Sequence, residues 1–103
     1  MYNVRLPKTL SFEWDRGNID KSYQKHGISP KEAEEIFISE DLFVLPDKKR
    51  SPDEKRHLAL GKTQERMSLF VVFTLRGKKI RIISARRMHA KEIKKYEKAK
   101  KNT

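Results

Sequence analysis

Cysteine is absent from the chain. That removes disulfides, thiolate metal sites and cysteine nucleophiles together, and it suits a reducing compartment. No run approaches the ~20 apolar residues that span a bilayer, and Met1 to Leu10 lacks the apolar centre of a secretion signal; the expectation is a cytoplasmic protein with no membrane partner. Metal ligation is poorly provided. The three histidines, His26, His57 and His89, are far apart in sequence and no carboxylates stand at ligand spacing, so neither a zinc site nor a two-metal nuclease is signalled and no cofactor is expected. The four glycines are dispersed rather than gathered into a phosphate-cradling loop. Gly27, Gly61 and Gly77 read as a helix stop and turns.

Positive charge is what the chain has in excess. The formal net charge is +11, and the excess is local: Arg76 to Thr103 holds twelve Lys or Arg against two acids, Glu92 and Glu97. Residues 1–75 balance thirteen bases against twelve acids, so the last 28 residues carry +10. A concentrated cationic face points to a nucleic-acid partner. At 103 residues the chain makes one small domain, burying roughly 60–65% of its unfolded surface. Residues 1–11 read as a leader and 97–103 as a fraying end.

Phe12-Glu13-Trp14 reads as a short extended piece with Phe12 and Trp14 on one face. Asp15 can cap a helix from Arg16 to His26, stopped by Gly27, with a sparse stripe of Ile19 and Tyr23. Ser29-Pro30-Lys31-Glu32 is a strong helix start: Ser29 caps, Pro30 takes the first helical position and Glu32 can close a capping box. Ala33, Ile36 and Phe37 then make a buried face, while Glu34 and Glu35 point to solvent. Leu42 to Leu45 is a brief apolar run ended by Pro46, and residues 48–55 form a polar connection expected to be mobile. Three strands follow: Arg56 to Leu60, closed by Gly61; Ser68 to Leu75; and Lys79 to Ala85. Their connections are short enough to pair them antiparallel as a meander. The reading is an α+β domain, with a small antiparallel sheet, two N-terminal helices on one face and a basic C-terminal helix from about His89 to Lys100.

A basic site without a metal can still cut RNA, because the strand carries its own nucleophile in the 2′-hydroxyl. Cleavage then needs in-line positioning, proton transfer and cations for the charge on the phosphorane-like transition state. Arginine suits the last role through its planar, permanently charged fork. Arg86 and Arg87 are the first catalytic candidates, since consecutive residues at a strand end point to opposite sides and at least one reaches a sheet face. The alternative is that both are solvated or pair with acids. Arg56, in register with Leu58 and Leu60, either lies at the rim or is held for a purpose. Lys25, His26, His57, Lys62, Arg81 and Tyr96 are candidate RNA contacts. His57 is a base near neutrality or a strand filler, His26 a site residue or a helix cap, and Tyr96 a stacking surface or the packing side of its helix. Trp14 reads more simply as core than as a base-stacking platform.

Phe12-Glu13-Trp14-Asp15, Lys25-His26-Gly27 with Ser29, Glu32-Ala33 and Phe37, the Glu54-x-Arg56 lead into a strand ending in Gly61, and Ile80-Arg81-Ile82-Ile83-Ser84-Ala85-Arg86-Arg87 together resemble the BrnT toxins. The resemblance covers roughly Phe12 to Tyr96 and departs from the family at His57, where an aromatic residue is usual. It implies a RelE-like fold and a ribonuclease toxin of a type II toxin–antitoxin system. It further implies neutralisation by a BrnA-type ribbon-helix-helix antitoxin, with operator DNA bound only through that complex. The expected activity is metal-independent endoribonuclease action on RNA, inhibiting translation and growth. The alternative is a non-catalytic basic RNA- or DNA-binding module, which the same charge would support through counterion release.

Overall fold

The computed structural model describes residues 6, 9–14, 17, 23–47 and 55–101. Five strands, β1 (Phe12–Trp14), β2 (Phe43–Pro46), β3 (His57–Lys62), β4 (Ser68–Arg76) and β5 (Lys79–Arg87), form one sheet in the order β1-β5-β4-β3-β2. The stretch from β2 to β5 is the antiparallel meander expected from the short connections. The sheet as a whole is mixed, which corrects the purely antiparallel expectation: β1 pairs with β5 in parallel, Phe12 opposite Ile80 and Trp14 opposite Ile82. Most of the chain separates these two strands, so the long crossover that parallel pairing needs is available. The strand β2 was not expected either. Its proline at Pro46 is tolerated because β2 is an edge strand.

Side chains alternate between the two faces of the sheet. On one face Ala59, Val71, Phe73, Ile80 and Ile82 are fully buried under helix α1 (Pro30–Glu35) and the 3-10 turn Ile36–Ile38. The anticipated capping box is formed: Ser29 Oγ accepts from the Glu32 amide at 3.2 Å, and Glu32 Oε1 accepts from the Ser29 amide at 2.9 Å. Ala33, Ile36 and Phe37 are the buried face of this segment. The Phe37 ring meets Phe73 edge-on at 5.1 Å and Phe12 at 5.5 Å. Glu34 and Glu35 are engaged rather than merely solvated, since Glu34 Oε2 accepts from Trp14 Nε1 at 3.1 Å and Glu35 Oε1 from the Gln64 amide at 3.1 Å. Trp14 thereby lies against the core cluster.

Gly61 lies inside β3 and is not a turn residue. A Cβ there would stand 3.0 Å from Ile36 Cβ, so strand and turn approach too closely for a side chain. Gly27 and Gly77, with φ of 69° and 59°, are the helix stop and the β4–β5 turn that were expected. Of the first expected helix only residues 17 and 23–26 are described. Its proposed cap at Asp15 and stripe residue Ile19 lie outside the described residues, and Tyr23 is exposed rather than buried. The connection at 48–54 also lies outside them.

The C-terminal helix, α2 (Ala90–Lys101), docks on the opposite side of the sheet from α1. Tyr96 is buried, its ring edge-on to Phe43 at 5.6 Å and its hydroxyl donating to the Asp41 carbonyl. Ion pairs hold the far end, Lys62 to Glu97 at 2.8 Å and Lys100 to Asp41 at 3.2 Å. These ties reach along the helix as far as Lys100, and the helix runs to Lys101.

Candidate functional site

Register places the cations. Leu60, Phe70 and Arg86 stand side by side across β3, β4 and β5, on the face opposite α1. The Arg86 guanidinium lies over the Phe70 ring, its carbon 4.0 Å from the centroid, a cation–π contact strengthened by partial desolvation. Glu92 grips the same group from the first turn of α2: Nη1 and Nη2 donate to its two oxygens, each at 2.8 Å. Nη1 also donates to the Arg87 carbonyl at 3.0 Å. Glu92 Oε1 accepts the His89 backbone N–H at 2.7 Å as well, so one carboxylate both closes the helix start and fixes the arginine. The Arg86 hydrogen bonds hold the Glu92 carboxyl well below its usual range, at about 2.

His26 belongs to this neighbourhood. Burial lowers its pKa first, and the charges of Lys25 and Arg86 lower it further, so the imidazole is neutral at neutral pH. Residues sixty apart in sequence are thus brought within electrostatic reach, which no local pattern could have shown. Lys25 itself is exposed beside it.

The remaining sequence candidates fall elsewhere. Arg81 shares the Arg86 side of the sheet, at the other end of β5, and pairs with Glu13 of β1 at 3.4 Å. Arg56 is exposed just before β3. It lies four residue steps before Leu60, which marks the level of Arg86, roughly 13 Å, so the structure does not gather Arg56 and Arg86 at one point. Arg87 is exposed and leaves β5 on the other side, opposite Leu69. His57 is 7% exposed and packs at a tilt against Phe73, ring centroids 5.2 Å apart, on the α1 side of the sheet; burial and Lys55 lower its pKa. Tyr96 is closed off by its packing, and burial pushes its hydroxyl up to about 12. Lys62 is tied to Glu97.

Two acids went unassigned in the sequence. Glu92 and Glu97 look like isolated charges in a lysine-rich helix, yet each reaches inward to a basic residue of the sheet. Five residues apart, they stand about 140° apart around the helix and flank the side that carries Tyr96. Among the described residues no group of three His, Asp or Glu could hold a metal ion, and no helix is long and apolar enough to cross a membrane.

The domain is a small α+β fold in which Arg86, fixed by Glu92 and Phe70, lies within electrostatic reach of His26. The chain belongs to the BrnT family: the profile described as "Ribonuclease toxin, BrnT, of type II toxin-antitoxin system" matches residues 14–92. Its fold is similar to that of the ribonuclease toxin BrnT of Brucella abortus, a crystal structure at 1.1 Å resolution, with a TM-score of 0.61 at 23% identity over 79% of this chain and 99% of that one. No curated protein matches the chain.

Proposed function

We propose that this toxin is a metal-independent endoribonuclease with a RelE-like fold, acting in the cytoplasm to stop translation and growth. The observation that supports the reading is an Arg86 fixed by Glu92 and Phe70 within electrostatic reach of His26, whose pKa is lowered chiefly by burial. In the proposed reaction His26 accepts the proton of a ribose 2′-hydroxyl as its oxygen attacks the adjacent phosphorus. Arg86, held in plane by Glu92 and Phe70, takes up the charge on the equatorial oxygens at little reorganisation cost. The P–O5′ bond breaks and the leaving oxygen is protonated, giving a 2′,3′-cyclic phosphate and a 5′-hydroxyl. Arg81 and Arg56 hold further phosphates along the strand, and Arg87, which leaves β5 on the other side of the sheet, stands outside this path.

Neutralisation is assigned to a BrnA-type ribbon-helix-helix antitoxin, which alone connects the toxin to operator DNA. Its inhibition is steric, by covering the cationic C-terminal region. One observation favours a second reading, a non-catalytic nucleic-acid-binding module: the terminal nitrogens of Arg86 are already occupied by Glu92 and the Arg87 carbonyl. Purified protein incubated with RNA in EDTA separates the two. Cyclic-phosphate products support the enzyme, whereas salt-sensitive binding to RNA that stays intact supports the module.

A further inference from the structure

The outward side of α2 is chemically distinct from the side that docks. At 100° per residue, Lys91, Lys94, Lys95, Lys98 and Lys101 fall within an arc of about 120°, and all five are exposed. The two acids of the helix lie outside that arc, drawn inward to Arg86 and Lys62, and so does its one large aliphatic side chain, Ile93. Among the described residues these five lysines form no ion pair. The helix therefore presents a single-sign ridge some ~15 Å long, carrying about one charge per 4 Å of axis.

We propose that this ridge binds the phosphodiester backbone of the RNA outside the cleavage site, supplying affinity and no chemistry. The inference rests on RNA being the substrate. Its charge spacing matches the one phosphate per ~3.4 Å of axis on a nucleic-acid strand. Lysine is a mobile point charge, suited to sequence-independent phosphate contact more than to bidentate recognition. An antitoxin that covers this region would find its anchors beside the ridge rather than on it: protein interfaces are built around aromatic, aliphatic or arginine anchors and are depleted in lysine, and the lysine arc holds none of these. The acids Glu92 and Glu97 do double duty here, fixing the sheet cations while leaving the outer face free of negative charge.

The test is the salt dependence of binding. Affinity for a short hairpin RNA with 2′-O-methyl riboses, which cannot be cut by 2′-hydroxyl attack, is measured by fluorescence anisotropy across a potassium chloride series. The quintuple variant K91Q/K94Q/K95Q/K98Q/K101Q should lower the slope of log K against log salt by three or more, at about 0.9 for each phosphate that is no longer neutralised. Its single-turnover cleavage of ordinary RNA at saturating protein should stay within about threefold of the parent, because uniform binding is removed while the transition-state interactions stay. The corresponding five-arginine variant should keep the slope. An unchanged slope in the folded glutamine variant overturns the proposal. So does an unchanged slope with loss of antitoxin co-purification, which would give the ridge to an acidic protein. If the parent protein cuts no RNA at all, the ribonuclease reading fails while the slope still decides this one.

Discussion

Replacing Glu92 by glutamine removes one charge at the point where β5, α2 and the proposed site meet. A carboxyl whose pKa drops from 4.5 to about 2 on folding contributes at most about 3.4 kcal/mol, at about 1.36 kcal/mol per tenfold change. The side chain is 27% exposed, and solvent screening brings the working figure to about 2 kcal/mol. The sign is fixed by linkage: a carboxyl with a depressed folded-state pKa stabilises fully above about pH 4.5 and loses that contribution as pH falls toward 2. By pH 3 more than half of it is gone. Glu92→Gln can still accept a hydrogen bond from the His89 amide, so it isolates the charge. Glu92→Ala also removes the acceptor at the helix start, for about 1 kcal/mol more. Urea unfolding followed through Trp14, the only tryptophan, reads both. With a urea slope of roughly 2 kcal/mol per molar, Glu92→Gln should unfold about 1 M earlier at pH 7, and the gap should narrow by more than half at pH 3. Equal midpoints at pH 7, or a gap that persists undiminished in acid, would refute the reasoning.

Three further outcomes follow from the geometry. His26 accepts a proton only in its neutral form, so the cleavage rate should rise with pH through a value below 6.5 and then level off; His26→Gln should lose that limb of the pH–rate profile. Gly61→Ala should destabilise by about 1–3 kcal/mol in thermal unfolding, because the new methyl group meets the Ile36 side chain at 3.0 Å. Ser29→Ala should cost about 1 kcal/mol by the same measurement, through loss of the Glu32 amide's acceptor.

The parts of this fold that sequence reasoning could reach are those governed by neighbours along the chain. The capping box at Ser29 and Glu32, the glycine stop at Gly27 and the runs of β4 and β5 are local patterns with local causes. What escaped was decided across the sheet. Phe43 to Pro46 is too short and too proline-marked to announce a strand, and it becomes one because β3 offers a free edge. The extended piece at Phe12 was visible, but its parallel partner was not. The same holds for the site. The cationic character of β5 and α2 was evident in composition, whereas the inward turn of Glu92 onto Arg86, the approach of His26, and the burial of His57 and Tyr96 depend on packing between distant segments. The two consecutive arginines illustrate the limit: alternation required them to part, and only the register shows that Arg86 takes the Phe70 side while Arg87 leaves it.

The central claim, that Arg86 stabilises charge in an RNA-cleaving transition state, is tested most directly by Arg86→Lys. Lysine keeps the positive charge and loses the planar fork. Single-turnover cleavage of RNA in EDTA by folded Arg86→Lys should fall by about 10²–10³-fold, the scale of losing one preorganised donor, with RNA affinity almost unchanged. Cleavage by that variant at the parent rate would contradict the account.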